Sequence, residues 1–198
     1  MTDRAKIEKA GPGAGQTIAR LVRRSLPARL HPLTIWGSPR AGRYVESILA
    51  GAFPNQAYEF YLLRLGSKPM GLAAFRRLGR QAFLNHLYVA PQLRGRGAGA
   101  RLLETAVRSY LARRPAGKIS LDVFAGARPA EAWYERLGFQ ERSKRIWWVG
   151  SPRRRAFLLI APTDSAPPGW RKVAVSRRLE CDARALLDRL AARLEEAA

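Results

Sequence analysis

The chain has 198 residues, of which 47% are hydrophobic and 9% aromatic, a composition typical of one globular domain of ordinary size. A single Cys excludes an internal disulfide framework, and one Cys with only two His argues against a metal site. No apolar run approaches the roughly 18 residues of a membrane-spanning helix, and the charged N-terminus has no apolar signal-peptide core. We therefore expect a metal-free cytoplasmic protein with no membrane partner.

The formal net charge of +21 is concentrated in the middle of the chain. Residues 61–120 contain 12 basic and 1 acidic side chains, a balance of +11, whereas residues 1–60 (9 minus 4) and residues 121–198 (15 minus 10) each carry +5. A focused positive field favours an anionic ligand, which can be a phosphate-rich cofactor, an acidic partner or a nucleic acid. An arginine-rich solvated surface explains most of the excess equally well, so charge alone does not identify the partner.

The first fifty residues predict one short strand and two helices. Residues 5–9 favour a strand, which the following Gly-Pro-Gly sequence ends. Apolar side chains recur at helical spacing over residues 14–26, and the proline-containing stretch 28–40 predicts a loop. A second helix is expected over residues 41–50, with Gly51 as its stop.

The middle of the chain predicts three strands followed by a long helix. Residues 58–65 are rich in aromatic residues and leucine, and glycine-containing turns separate them from further apolar runs at 70–77 and 81–89. This spacing indicates an antiparallel meander. Residues 98–112 then carry apolar side chains on one helical face and charged ones on the other.

The pattern changes again after the long helix. Residues 118–125 predict a strand, and a short helix follows that begins near Pro129 and ends at Gly138. Apolar and aromatic residues predict another strand over 139–149 and a last one over 156–160.

The tail differs in composition from the rest of the chain. Residues 162–170 contain three prolines and predict a linker, and leucines recur at helical spacing over 182–196. We therefore divide the chain into a domain over residues 1–161 and a C-terminal extension over residues 162–198. The tail helix is expected to cover its own domain or a second subunit of a homodimer.

A glycine-rich turn stands at the junction between the third strand of the meander and the long helix. The apolar run ends at Pro91, the sequence Arg94-Gly-Arg-Gly-Ala-Gly99 follows, and the helical pattern begins at once. A helix N-terminus presents unpaired backbone N–H groups and a positive dipole end, and glycines let that backbone approach a ligand closely. The turn therefore predicts a site for a cofactor that carries a diphosphate.

Two segments of the chain resemble the GCN5-related N-acetyltransferase (GNAT) superfamily. Arg94-x-x-Gly97-x-Gly99 is similar to the superfamily's pyrophosphate turn, and the segment from Leu121 to Phe139 is similar to its later strand and tyrosine-bearing helix. The resemblance implies an α+β fold, with a mostly antiparallel central sheet of six to seven strands between flanking helices. It also implies that the fourth and fifth strands splay apart, and the tail helix is added as a C-terminal extension.

The resemblance further implies that acetyl-CoA is the cofactor. Backbone groups of the fourth strand are then expected to pair with the pantetheine arm, and the turn is expected to hold the diphosphate. Arg128 is expected to reach a phosphate. The implied cofactor-binding residues are Leu87, Tyr88, Val89, Arg94, Gly95, Arg96, Gly97, Ala98, Gly99 and Arg128.

Catalytic roles follow from the same resemblance. Tyr134 matches the superfamily tyrosine that protonates the sulfur of CoA, and Asp122 falls where the ribosomal-protein acetyltransferases of the superfamily carry a catalytic glutamate. Glu59 and His86 are rival general bases. Ala127 stands where the superfamily often has an asparagine, a departure that bears on catalysis more than on CoA binding.

The sequence thus predicts an N-acetyltransferase that moves an acetyl group from acetyl-CoA directly to an amine of an unidentified acceptor. One alternative is a catalytically impaired acyl-CoA-binding module with a regulatory or assembly role. Another is an acetyltransferase that acts on an RNA- or ribosome-linked amine, which would give the net charge a nucleic-acid partner.

Overall fold

The structure is a computed structural model that describes residues 5–52, 58–150, 159–163 and 168–196. Within these residues, eight strands form one mixed sheet with the order β1-β2-β3-β4-β5-β8-β6-β7. The strands are β1 (Ala5–Lys9), β2 (Glu59–Leu65), β3 (Lys68–Leu78), β4 (Gln81–Val89), β5 (Lys118–Phe124), β6 (Gln140–Gly150), β7 (Leu159–Thr163) and β8 (Arg171–Asp182). The helices are α1 (Gly15–Ser25), α2 (Ala41–Leu49), α3 (Ala98–Arg113), α4 (Arg128–Arg136) and α5 (Ala183–Glu195).

The predicted α+β architecture is confirmed, with eight strands where six to seven were expected. All neighbouring strands pair antiparallel except β4 and β5, which run parallel. Short 3₁₀ turns occupy Ala28–Leu33 and Ile35–Gly37, where a loop was predicted. The strand predicted over 156–160 lies partly outside the described residues, and β7 begins at Leu159.

The predicted splay between β4 and β5 is confirmed. The two strands pair only from Ala82 to Leu84 of β4, opposite Ile119 to Leu121 of β5. Directly after Leu84 the pairing of β4 with β3 shifts register, so that Asn85 forms a bulge. A bulge bends its strand and ends regular pairing. Within the described residues, the part of β4 beyond the bulge therefore has no strand partner on its β5 side.

The sequence did not predict β8, which lies between β5 and β6 in the sheet. Its register with β5 runs over the whole length of β5, from Lys118 to Phe124. The side chains that β8 buries include the small residues Ala174 and Ser176, while Arg177 and Arg178 stand next to each other in its middle. A strand with small buried residues and adjacent charges lacks the bulky alternating pattern by which strands are recognised.

The helix predicted over 182–196 is confirmed as α5. The Asp182 side chain caps it by accepting a hydrogen bond from the Ala185 N–H at 2.9 Å. Leu186 and Leu190 are fully buried in the main core with α3 and α4. Whether residues 162–198 behave as a separate unit stays a prediction, and the position of β8 makes a truncation a direct test of it.

Each face of the sheet packs against its own group of helices. On one face, β2 to β5 and β8 pack against α3, α4 and α5 through side chains such as Leu102, Val107 and Leu121. On the other face, the first strands pack against α1 and α2 through Ile18, Val45 and similar residues. No helix in the described part of the chain is long and apolar enough to cross a membrane.

A buried carboxylate on β2 joins the sheet to the C-terminal end of α3. Glu59 is 2% exposed, and it accepts hydrogen bonds from Tyr61 Oη at 2.5 Å and from Arg113 at 2.7 Å. Lys9 Nζ lies 3.2 Å and Arg114 3.6 Å from the same carboxylate. Burial alone raises the pKa of Glu59, but the hydrogen bonds from Arg113, Tyr61 and Lys9 outweigh it and hold the pKa below the ordinary 4.5.

We expect Glu59→Gln to lower the free energy of unfolding by about 1–3 kcal/mol at pH 7, because a charge-assisted network around a buried group is lost. A carboxyl whose folded pKa is depressed stabilises the fold above its unfolded pKa and loses that effect as the pH falls through the folded value. The difference from wild type should therefore shrink below pH 4.5. Urea unfolding of both proteins at pH 7 and at about pH 3.5 measures this difference in the free energy of unfolding. A difference that does not change with pH would contradict the role of the Glu59 charge.

Candidate active site

A cavity of about 710 Å³ opens where β4 and β5 diverge. Its walls come from α1, β4, the glycine turn, α3, α4 and α5, so both faces of the sheet contribute to it. The lining residues are Arg24, Ser25, Leu87, Tyr88, Val89, Arg94, Gly95, Gly97, Gly99, Ala100, Pro129, Ala130, Trp133, Tyr134, Arg136 and Arg193.

The glycine turn forms one wall because two of its residues adopt left-handed backbone conformations. Gly95 has a φ of 71° and Gly97, the N-cap of α3, has a φ of 70°, a region that other residues occupy at a cost. The first N–H groups of α3 have no partner within the helix. Arg94 Nε donates to the Val89 carbonyl at 2.9 Å, which ties the turn to the end of β4.

Tyr134 lies on α4 and lines the cavity. Its side chain is 8% exposed and makes edge contacts with the rings of Trp133 at 5.1 Å and Phe139 at 5.5 Å. Burial raises the pKa of the Tyr134 phenol above its ordinary 10.0. The phenol therefore keeps its proton at neutral pH and is available as a proton donor to a ligand in the cavity.

Asp122 does not line the cavity. Its two carboxylate oxygens accept hydrogen bonds from Arg178 of β8, at 2.5 and 2.9 Å, and the same guanidinium lies over the Phe83 ring at 4.8 Å. Leu121 and Val123 are in the core with α3, so Asp122 points to the other face, as strand alternation predicts. The structure thus brings Tyr134 to the cavity and pairs Asp122 with an arginine 56 residues away in sequence.

His86 is not a lining residue, but it contacts Ser25, which lines the cavity. The Ser25 hydroxyl donates to the Val22 carbonyl at 2.7 Å, so its oxygen is left to accept from His86 Nδ1, 3.2 Å away. In the tautomer that satisfies this contact, Nδ1 carries the proton and Nε2 has the lone pair. The Trp36 ring packs edge-on at 5.6 Å, and burial lowers the pKa of His86 from 6.5 to about 4. The imidazole is therefore neutral at physiological pH.

The other predicted site residues divide into two groups. Leu87, Tyr88, Val89, Arg94, Gly95, Gly97 and Gly99 line the cavity. Arg96 and Ala98 belong to the turn but are not lining residues, and Arg128 is exposed at the start of α4. Glu59 lies in the ion-pair network at the C-terminal end of α3 and also stays outside the lining.

Eight lining residues were not predicted from the sequence. They are Arg24, Ser25, Ala100, Pro129, Ala130, Trp133, Arg136 and Arg193. Arg24 and Ser25 are at the end of α1, and Arg193 lies in the tail, so neither the turn nor the tyrosine segment signals them. Arg24, Arg136 and Arg193 each lie in the last turn of a helix, where basic residues are favoured. Many helices share that feature, so it does not identify a site.

The lining suits a ligand with several negative charges and an apolar arm. It includes four arginines and no Asp or Glu, while Leu87 and Val89 supply apolar surface next to the unpaired side of β4. The residues present therefore fit acetyl-CoA, whose phosphates the turn and the arginines would hold. Among the described residues, no group of three or more His, Cys, Asp or Glu side chains is placed to hold a metal ion.

Comparison with known proteins gives one matching family model, described as the acetyltransferase (GNAT) family, over residues 28–139. A search of curated proteins found no match. The fold is similar to the ribosomal-protein-S18-alanine N-acetyltransferase from Escherichia coli, at 18% identity and a TM-score of 0.60, covering 91% of this chain and 94% of that chain.

Two further solved structures are similar in fold. The PaiA N-acetyltransferase from Thermoplasma acidophilum, in complex with coenzyme A, is 13% identical with a TM-score of 0.62, over 90% of this chain and 99% of that chain. The spermidine N-acetyltransferase from Vibrio cholerae, in complex with CoA and spermine, is 16% identical with a TM-score of 0.59, over 92% of this chain and 98% of that chain. At these identities the likeness concerns the fold alone.

Proposed function

Since the chain belongs to the GNAT acetyltransferase family, we propose that it transfers an acetyl group from acetyl-CoA directly to the amine of an acceptor. The observation that carries the proposal is the cavity at the splayed strands. It joins the left-handed glycine turn on α3 to the buried Tyr134 phenol on α4, with four arginines and no acidic residue in its lining.

In this proposal the chain holds the cofactor by three kinds of contact. The N–H groups of the glycine turn and the Arg94 guanidinium bind the diphosphate at the positive end of α3. The backbone of β4 from Leu87 to Val89, which lacks a strand partner on its β5 side, hydrogen-bonds the amides of the pantetheine arm. When bound, acetyl-CoA supplies an activated acetyl thioester.

The reaction needs a neutral amine and a proton for the leaving sulfur. The ammonium form of an alkylamine has a pKa near ~10.4, so a base must remove its proton before the neutral nitrogen attacks the carbonyl carbon. The C–N bond forms and the C–S bond breaks, and the thiolate takes the proton of the Tyr134 phenol. We propose Nε2 of His86 as the general base, because the imidazole is neutral at pH 7 and its Nδ1 contacts Ser25, which lines the cavity. His86 itself, like Asp122, is not a lining residue.

The charge of the cavity bears on the class of acceptor. A polyamine carries several positive charges and requires acidic side chains nearby. No acidic residue lines the cavity, and Arg24 stands in its α1 wall. We therefore propose an acceptor amine whose remaining groups are neutral or anionic, such as an amino acid or a peptide, in preference to a polyamine.

Two measurements on the full chain test the proposed function. Calorimetric titration with CoA tests the cofactor, and release of thiol from acetyl-CoA over a panel of amino acids, peptides, aminoglycosides and polyamines tests the transfer. CoA binding with no thiol release over the whole panel would favour the acyl-CoA-binding module instead. Absence of CoA binding would contradict the proposal itself.

The choice of general base has its own prediction. We expect His86→Gln to lower kcat/KM about 10²-fold, because general base catalysis contributes roughly 10²–10⁴-fold and the glutamine amide cannot accept the proton. Asp122→Asn should change kcat/KM by less than about 5-fold, since Arg178 already engages both carboxylate oxygens and neither is available to take a proton from the amine. Steady-state thiol release at several pH values measures kcat/KM for both variants. A larger loss in Asp122→Asn than in His86→Gln would indicate that Asp122 is the general base.

A further inference from the structure

We propose that Arg136 and Arg193 form a binding site for the 3′-phosphate of CoA, a phosphomonoester that distinguishes CoA from 3′-dephospho-CoA. The inference rests on the proposed use of CoA and goes beyond the diphosphate turn. It assigns a ligand-binding role to α5, which lies outside residues 28–139 that match the family.

The first support is the fixed position of α5 against α4. Leu186 and Leu190 are fully buried, and the Arg189 guanidinium donates to the Leu137 carbonyl just after α4, at 3.4 Å. Arg193 follows Arg189 by four residues, one helical turn, and therefore lies on the same side of α5. The packing thus holds Arg193 next to α4 at the cavity wall rather than at a free chain end.

The second support is the face of α4 that Arg136 occupies. Arg136 follows Trp133 by three residues, so the two side chains share a face of the helix, and both line the cavity. Trp133 also lies close to the start of α3, because a Cβ placed on Gly99 would be 3.8 Å from its ring. The wall therefore runs from the diphosphate turn, past an aromatic ring, to the two arginines.

The third support is the absence of acidic partners at this wall. Within the described residues, neither Arg136 nor Arg193 has a carboxylate within ion-pair distance. The acidic residues of α4 are engaged elsewhere, since Glu131 and Glu135 lie 3.5 and 3.3 Å from Arg177 of β8. Two guanidinium groups without carboxylate partners in one cavity favour a dianionic ligand, and arginine matches the geometry of a phosphate in a bidentate way.

The turn and the arginine pair thus account for the two anionic parts of CoA. The turn holds the diphosphate, and the ribose 3′-phosphate is the remaining dianion on the same nucleotide. In 3′-dephospho-CoA a hydroxyl replaces that phosphate, and the diphosphate, the pantetheine arm and the thiol are unchanged. A comparison of the two ligands therefore isolates the site.

Calorimetric titration of the full chain with CoA and with 3′-dephospho-CoA tests the site. We expect wild type to bind CoA about 30-fold more tightly, because a hydrogen bond to a charged group is the stronger kind. Arg193→Ala and Arg136→Ala should each weaken CoA binding about 10-fold and change 3′-dephospho-CoA binding by less than about 2-fold. Arg193→Lys keeps the charge without the bidentate fork and should lie between wild type and alanine.

Arg184→Ala is the matched control, since Arg184 is exposed on the same helix and does not line the cavity. It should leave both affinities unchanged. If wild type binds CoA and 3′-dephospho-CoA with equal affinity, the site is overturned and the proposed function stays intact. The same holds if the arginine variants lose affinity for both ligands equally. Failure of wild type to bind either ligand would instead overturn the proposed function.

Discussion

Replacing Tyr134 by phenylalanine should lower kcat by about 10²–10³-fold and leave the Kd for CoA within about 2-fold of wild type. The phenol is buried on α4, and its raised pKa keeps the proton in place at neutral pH. Removal of the hydroxyl takes away the proton that the leaving thiolate accepts. The ring remains, so its contacts with Trp133 and Phe139 and the shape of the cavity are preserved.

Tyr110→Phe provides the control for that experiment. Tyr110 is also a buried tyrosine, and its hydroxyl has no hydrogen-bond partner among the described residues. The same substitution there removes one buried hydroxyl outside the cavity, so kcat and the Kd for CoA should both stay at wild-type values. Steady-state thiol release and calorimetric titration measure the two variants side by side. An unchanged kcat in Tyr134→Phe would remove Tyr134 from the proposed mechanism.

Ending the chain at Gly169 should abolish cooperative folding. This truncation removes β8 and α5, so β5 loses a partner along its whole length and β6 loses the strand that joins it to the sheet. It also removes Leu179, Leu186 and Leu190 from the core, and each buried leucine is worth about 1.5–3 kcal/mol against a total stability of about 5–15 kcal/mol.

Size-exclusion chromatography and urea unfolding followed by circular dichroism measure the effect of the truncation. We expect aggregation or a non-cooperative transition. A chain ending at Glu196, which keeps β8 and α5 complete, is the control and should unfold like the full chain. A truncated chain that folds cooperatively and binds CoA would instead support the separate C-terminal extension expected from the sequence.

Local signals in the sequence were sufficient for most of the fold. Apolar spacing predicted α1, α3 and α5, because each helix needs one continuous apolar face. The turn from Arg94 to Gly99 was recognisable because positive φ values demand glycine. The sequence did not predict β8. Its buried residues are small, and they form a strand only because β5 and β6 pair with it on either side.

The candidate site was predictable where its residues are close in sequence. The lining by Leu87, Val89 and Gly97 follows from one strand and the turn after it. The surroundings of Asp122 did not follow, because Arg178 occupies both of its oxygens from a strand that only the tertiary fold brings near. The position of Arg193 at the cavity could not be predicted either. Apolar spacing predicts that α5 is a helix, but it does not indicate which elements the helix packs against.

The insertion of β8 between β5 and β6 also fixes an order of events in synthesis. β5 and β6 are consecutive strands in the chain, yet neither pairs with the other, and both must wait for β8, which is synthesised after them. Long-range strand pairing of this kind is slow, and it leaves strand edges open in the growing chain. The cavity gains its α5 wall only after that step, so a nascent chain has the complete lining only once α5 has been translated.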